Sequence, residues 1–356
     1  MDFWANITIF AYMFRVFITE NNLKQIITSE SQKPELSRSY LYKIIKAVKK
    51  PYVFSETKDA KWVNELKTYH GIMPDFSKSD YIKNISAHPE TTLLNPSSLF
   101  VLDISIIEAQ KIQTSYGVMC LCSQNLNAGR LLDTNDEHTT DEGEEFGLGW
   151  GTVLKSIKAL PSNSLILTDR YFFSAEYPPH GNGIINIHNI LDALLPQKFL
   201  GVYDVTIVFD PDKINKKYIG FNEVVTKINK VKQLIDRDYP INMEILGITE
   251  DCDIYEELHN RRIVSNYYIV KAEHKLAAFN KNIATCLQTI TPQVLFTVDS
   301  LNGNSTPPLK AIDHVISTIR EFSDEVHRLS DHTIYSYALN GKCLNTCTGV
   351  INRLLK

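Results

Sequence analysis

From about residue 150 onward, short apolar runs alternate with amphipathic stretches, and this alternation constrains the fold more than any other feature of the chain. Ser164-Leu-Ile-Leu-Thr-Asp-Arg-Tyr-Phe-Phe173 reads as a buried strand, and Ile184 to Leu195 as a helix ended by Pro196. Tyr203-Asp-Val-Thr-Ile-Val-Phe209 reads as a strand stopped at Asp210-Pro211. Phe221 to Ile235 has helical periodicity, and Ile241 to Ile248 is again strand-like. Trp150 to Leu160 predicts a helix ahead of this series. Strands over His259 to Val270 and Val294 to Val298, and a long helix over Leu309 to Leu329, follow it. Strands and helices of these lengths in alternation predict an α/β fold, with a mixed, mostly parallel sheet flanked by helices.

The rest of the chain divides around that domain. Residues 1–72 predict a helical domain, and Trp4, Ile7, Ala11, Phe14 and Ile18 recur at helical spacing. Residues 73–148 predict a linker and a small α/β segment with an acidic loop. Positions 74–96 are rich in turn residues, and Leu99 to Cys122 reads as a helix followed by a strand from Tyr116. The seven acids within 133–145, set among Thr, Asn and Gly, suit a solvated loop. Residues 149–356 make up the α/β domain.

Charge is distributed unevenly. Up to His70 there are 11 Lys+Arg against 7 Asp+Glu, a net of +4, so the remainder carries −8 of the overall −4. The densest basic stretch, Arg38 to Lys50, contains Lys43, Lys46, Lys49 and Lys50, which could attract a phosphate backbone. Ser37-Arg-Ser-Tyr-Leu-Tyr-Lys-Ile-Ile-Lys46 resembles the recognition helix of helix-turn-helix repressors. The same residues also suit an ordinary surface helix with Leu41, Ile44, Ile45 and Val48 turned inward.

Several classes of function are excluded or left without support. No run of about eighteen apolar residues occurs, so no membrane span is expected. Met1 to Thr19 lacks a basic leader and a small-residue cleavage site, so no secretory signal is expected, and the six cysteines read as reduced thiols of a cytoplasmic protein. None of the six cysteines forms a Cys-x-x-Cys pair, although Cys343 and Cys347 could share a helix face. No metal site and no cofactor are expected. Gly147-Leu-Gly-Trp-Gly151 is not followed by the Lys-Ser or Lys-Thr of a P-loop. Asp103, Glu108 and Lys111 fall in one helical run, unlike the two-strand arrangement of restriction-type nucleases. Asp204, Asp210 and Asp212 flank a strand as ordinary turn carboxylates.

The segment with chemical content is Leu258-His-Asn-Arg-Arg-Ile-Val-Ser-Asn-Tyr267, which contains the pattern His-x-Arg-x-x-x-x-Asn. On a strand, residues two apart share a face, so His259 and Arg261 can address one phosphate. An imidazole can attack phosphorus while a cation holds the non-bridging oxygens, and Asn266 would orient the imidazole. This pattern resembles the His-x-Lys-x-x-x-x-Asp signature of phospholipase D-like phosphodiesterases. It also looks like the His-Asp-Arg-x-Ile segment of degenerate members, one of which sits at the C-terminus of MIT (microtubule-interacting and trafficking) proteins. Related bacterial segments occur in uncharacterised proteins, some of them parts of anti-phage systems. The likeness spans roughly residues 160–330 through element order and this one motif. It implies that His259, Arg261 and Asn266 are the catalytic set, with Asp169 and Arg170, at the end of the first strand, in the ligand pocket.

The chain departs from that family in three ways. Asn260 stands where Asp is usual, and Glu273-His-Lys275 replaces the glycines that often follow the next strand. None of the other nine histidines is followed two residues later by Lys or Arg, so a second catalytic half could come only from another subunit. The resemblance therefore implies a cytosolic bacterial module that binds a phosphate-bearing ligand, nucleic acid foremost, within a larger assembly, with phage defence as the implied setting. Two other readings stand beside it. One is a metal-independent nuclease acting as a homodimer, and the other is a non-catalytic scaffold that docks a protein partner.

Overall fold

A strand buried on both faces shows no polar alternation, and Arg15-Val-Phe-Ile-Thr19 is such a run. In the structure, a computed structural model, it forms β1 (Arg15–Thr19) at the centre of a sheet. The residues described are 14–34, 38–56, 58–126, 138–140, 160–174, 176–177, 180–214, 221–248, 250, 261–272, 288–294, 318–320, 324, 334–338, 342–344 and 351–356. The chain forms two compact units, Met1–Asp133 with Leu295–Ile316, and Thr134–Val294 with Ser317–Lys356. Among the described residues no helix is long and apolar enough to cross a membrane.

In the first unit β1 runs into α1 (Glu20–Glu30), followed by α2 (Tyr40–Val48) and β2 (Tyr52–Phe54). Next come α3 (Ala60–Glu65), continued by a π-helical turn over Leu66–His70, and α4 (Ser79–Asn84). β3 (Ser98–Leu102), α5 (Ile106–Tyr116) and β4 (Met119–Cys122) complete the described part. The sheet order is β2-β1-β3-β4, and every pairing is parallel, with Phe17 opposite Tyr52 and Phe100, and Phe100 opposite Cys120.

On one face Phe17 stacks on Phe100 at 5.1 Å and on Tyr52 at 5.0 Å. Ile82 and Ile85 from α4 and its end, with Ala109 and Ile112 from α5, close over this face. α1 and α2 pack against β1 and bury Leu23, Ile26, Leu41, Ile44, Ile45 and Val48. Each such side chain contributes roughly 2 kcal/mol of transfer free energy. α5 begins with a capping box, in which Ser105 accepts the Glu108 N–H and Glu108 accepts from the Ser105 N–H.

The helical reading of residues 1–72 is corrected here, because β1 and β2 lie within it. β1 is too uniformly apolar for periodicity to separate from a buried helix, and β2 is only three residues long. Leu99 likewise starts no helix but sits in β3, while α5 begins at Ile106. α2 is a crossover element between β1 and β2 with Leu41, Ile44, Ile45 and Val48 buried, as the surface-helix reading requires.

The second unit is built on a nine-stranded sheet, in the order β15-β14-β10-β9-β6-β11-β12-β13-β5. Its strands are β5 (His138–Thr140), β6 (Ser164–Thr168), β9 (Tyr203–Phe209), β10 (Ile241–Ile248), β11 (Arg261–Ser265), β12 (Tyr268–Ala272), β13 (Gln288–Val294), β14 (Ile334–Ala338) and β15 (Lys342–Leu344). β7 (Glu176–Tyr177) and β8 (His180–Gly181) form a separate short hairpin. α6 (Asn182–Leu194) connects β6 to β9, and α7 (Phe221–Leu234) connects β9 to β10.

This sheet is mixed, but it is parallel only at its centre, where β6, β9 and β10 run together. The other pairings are antiparallel, which corrects the expectation of a mostly parallel sheet. β11 and β12 are joined by only Asn266 and Tyr267, and a link that short forces a hairpin. Cys343 lies in β15, not on a helix, and Cys347 is outside the described residues. The helices expected over 150–160 and 309–329 and the strand over 294–298 fall mostly or wholly outside them as well.

The C-terminal segment Ile351–Lys356 closes the centre of this unit. Asn352 donates from its amide to Leu165 O at 3.0 Å and to Thr206 Oγ1 at 2.9 Å. Arg353 pairs with Asp204, which sits on β9 with its carboxylate buried.

Candidate functional site

In open α/β sheets, ligands bind beyond the carboxyl ends of parallel strands, where loops diverge and backbone groups are left to be satisfied. In the second unit that edge follows β6 and β9. β11 runs antiparallel to β6, with Arg262 opposite Thr168, so its first residues arrive at the same edge. Asp169, Arg170, Tyr171, Arg261 and Arg262 are thereby brought together.

The turn after β6 is fixed locally. The Asp169 N–H donates to Val208 O at 3.1 Å, prolonging the ladder by one residue. Asp169 Oδ1 accepts the Tyr171 N–H at 2.8 Å, a side-chain turn that favours Asp at this position. On the β9 side, Asp210 is buried and accepts the Asp212 N–H at 2.7 Å in the same manner. Thr168 Oγ1 accepts the Arg262 N–H at 3.2 Å and ties β11 to β6.

Two guanidinium groups flank the Tyr171 ring, Arg170 at 5.0 Å and Arg261 at 5.9 Å from its centre. Arg170 also donates from Nη2 to the Tyr171 hydroxyl at 3.0 Å. Arg261 Nε lies 3.7 Å from Asp169 Oδ1, beyond hydrogen-bond length but close enough for strong attraction when both are buried. The edge thus has two layers. Arg170 and Tyr171, half-buried, are the outer one, and Arg261 and Arg262, at 8% and 5% exposure, are the inner one. Nearby, Lys213 pairs with Glu250 at 3.2 Å. The Glu250 carboxylate raises the Lys213 pKa, and Asp210 and Tyr171 add to the effect.

Guanidinium groups on an aromatic ring form a planar, permanently charged surface suited to phosphate oxygens. Among the described residues no cluster of three or more His, Cys, Asp or Glu could hold a metal ion.

The other site residues are placed differently. His259 and Asn260 lie outside the described residues. Asn266 is fully buried, and its Oδ1 accepts the Asn163 N–H at 3.2 Å and the Ser265 hydroxyl at 3.0 Å. It therefore secures the start of β6, whereas Arg261 faces the end of that strand. Five residues of extended chain separate the two by roughly 17 Å, so they do not converge on one phosphate. Lys43 and Lys46 are half-buried on α2 of the first unit, with Lys49 half-buried and Lys50 exposed just after it.

Sequence reasoning passed over Tyr171 and Arg262. Both had a signal. An arginine doublet opening an otherwise apolar strand needs polar partners once buried, and an aromatic directly after Asp-Arg at a strand end is placed to receive them. Compared with known proteins, the chain matches no family model and no curated sequence.

Proposed function

We propose that this chain binds a phosphate-bearing ligand, nucleic acid foremost, at the arginine-lined edge of its second unit. The observation that carries the reading is the gathering of the Arg170 and Arg261 guanidiniums within 5.0 and 5.9 Å of the Tyr171 ring centre, beyond the carboxyl ends of β6 and β9. Arg170 and Tyr171 meet the ligand first. Asp169 holds the Arg261 guanidinium behind them, so that its charge adds to the field without the side chain having to reach solvent. His259, two residues before β11, is the proposed further contact from the signature segment. The degenerate phospholipase D-like resemblance is retained as part of this proposal, and a role inside a larger, anti-phage assembly is the setting it suggests.

The test is binding and cleavage of labelled single- and double-stranded DNA and RNA in EDTA, with wild type, Arg170→Ala and His259→Ala. Binding without cleavage is expected. Arg170→Ala should weaken it by about tenfold and lower the slope of log K against log salt by roughly one. Cleavage lost in His259→Ala would replace this reading with a metal-independent phosphodiesterase. No binding, or binding unchanged in both variants, would overturn it.

A further inference from the structure

The first unit contains a cavity of about 580 Å³ between the end of α1 and the α3–π-turn segment. Its volume falls in the range of roughly 300–1,000 Å³ usual for small-molecule sites. The chemistry of its walls changes from one side to the other.

One side is aromatic. Tyr69 is 78% exposed, a large apolar surface to leave in water, and Trp62 lies half-buried beside it. Both come from the segment that passes from α3 into a π-helical turn, a rare geometry that recurs at functional sites.

The other side is basic. Arg38 Nη1 donates to the Tyr42 hydroxyl at 3.2 Å, with its guanidinium 5.0 Å above the Tyr42 ring. The same hydroxyl lies 2.9 Å from His70 Nδ1. Arginine only donates, so the Tyr42 oxygen accepts from Arg38 and its proton is free to go to His70. With the Tyr42 hydroxyl donating to Nδ1, the neutral imidazole carries its N–H on Nε2. Burial lowers the His70 pKa, and the charges of Arg38 and Lys46 lower it further; of these basic groups Arg38 and His70 line the cavity. Glu65 is the one acid lining the cavity among the described residues, and Gln32 offers an amide at its rim.

We infer that this cavity binds a single nucleotide unit, its base stacked on Tyr69 and Trp62 and its phosphate held by Arg38 and His70. Base-on-aromatic stacking tolerates any base, while a planar guanidinium beside an imidazole donor matches phosphate oxygens. The unit could be a free mononucleotide or one residue of a strand, since both present the same base and phosphate. The inference does not rest on the site proposed in the second unit.

The experiment is isothermal titration of the full chain with AMP, GMP, CMP and UMP, with a short single-stranded oligonucleotide, and with inorganic phosphate. Wild type is expected to bind at one site per chain. Because Tyr69 is exposed, Tyr69→Ala should fold normally and weaken binding by about tenfold, the loss of one stacking contact. Arg38→Lys keeps the charge but removes the planar fork, and should also weaken binding. Arg170→Ala, in the other unit, should leave mononucleotide binding unchanged, which separates this site from the one proposed above. Mononucleotide binding that is sensitive to Tyr69→Ala supports a free nucleotide as ligand. Such binding by the oligonucleotide alone supports a strand. Binding of inorganic phosphate that ignores Tyr69→Ala overturns the nucleotide assignment, as does no binding by any probe or equal binding in both cavity variants.

Discussion

Arg261 Nε lies 3.7 Å from Asp169 Oδ1, joining the first residue of β11 to the residue that follows β6. Both side chains are almost wholly buried, so each contributes to the stability of the other's charge. Asp169→Ala should cost about 3 kcal/mol, because it takes a carboxylate away from a buried guanidinium and also removes the acceptor of the Tyr171 N–H. Arg261→Met in the same background should restore a substantial part of that loss. A double-mutant cycle by urea denaturation measures the coupling, and additive losses would sink the claim that the two charges hold one another.

Glu244 lies on β10 opposite Thr206, and its carboxylate is buried. It accepts from the Ile351 N–H, the Thr206 hydroxyl and the Asn352 N–H. Burial nevertheless raises its pKa above the ordinary 4.5, with the Asp204 charge adding to the rise. A raised carboxyl pKa means that the folded state binds more protons than the unfolded state. Stability therefore falls as pH rises from about 4.5 through the raised value. Glu244→Gln should flatten that part of the stability–pH profile. A variant profile parallel to wild type between pH 4 and 7 would disprove the assignment.

How much of this could be read from the sequence depended on length and burial. β9 and β10 match the expected bounds residue for residue, and α6 and α7 to within two, because long periodic segments bounded by Pro or Asp-Pro are unambiguous. β1 fits a helical reading equally well because a core of three apolar residues, Val16 to Ile18, is too short to separate the two periods. The antiparallel flanks were missed because strand direction is set by connections such as Asn266-Tyr267, not by composition. At the candidate site, spacing linked Arg261 to Asn266, yet the extended strand sends them to opposite ends. The contact that does form, Arg261 with Asp169, joins positions 92 apart, so no local pattern could show it. The cavity of the first unit was invisible for the same reason, since Ile27 on α1, Arg38 ahead of α2 and Trp62 on α3 come from separate elements.

Three described helix ends in the first unit carry positive φ, at Lys49, Gly71 and Gly117, and the first two call for opposite substitutions. Lys49, after α2, has φ +60, and Gly71, after the π turn, has φ +66. A side chain in this region costs on the order of 1 kcal/mol, a cost that glycine avoids. Lys49→Gly should therefore stabilise the unit by roughly 0.5–1 kcal/mol. A Cβ at Gly71 would meet nothing within 4 Å, so Gly71→Ala tests backbone strain without a clash and should cost about 1 kcal/mol. Thermal melts of the two variants should move in opposite directions, and a shared direction would refute the strain argument.

Asn266 separates structural from functional readings of the signature segment. Its amide oxygen is engaged by the Asn163 N–H and the Ser265 hydroxyl in a fully buried setting. Asn266→Ala would leave the Asn163 N–H without this acceptor and should lower stability by about 1–3 kcal/mol. Arg261 and Asn266 sit at opposite ends of β11, so the same change should not alter nucleic-acid affinity per folded molecule. Arg170→Ala should do the reverse, weakening binding with little effect on unfolding, because Arg170 is half-buried and lies in the outer layer of the edge. Denaturation and binding measured on both variants decide between the two readings. If Asn266→Ala weakened binding as much as Arg170→Ala while the protein stayed folded, Asn266 would return to the site and the two-ended description of β11 would fail.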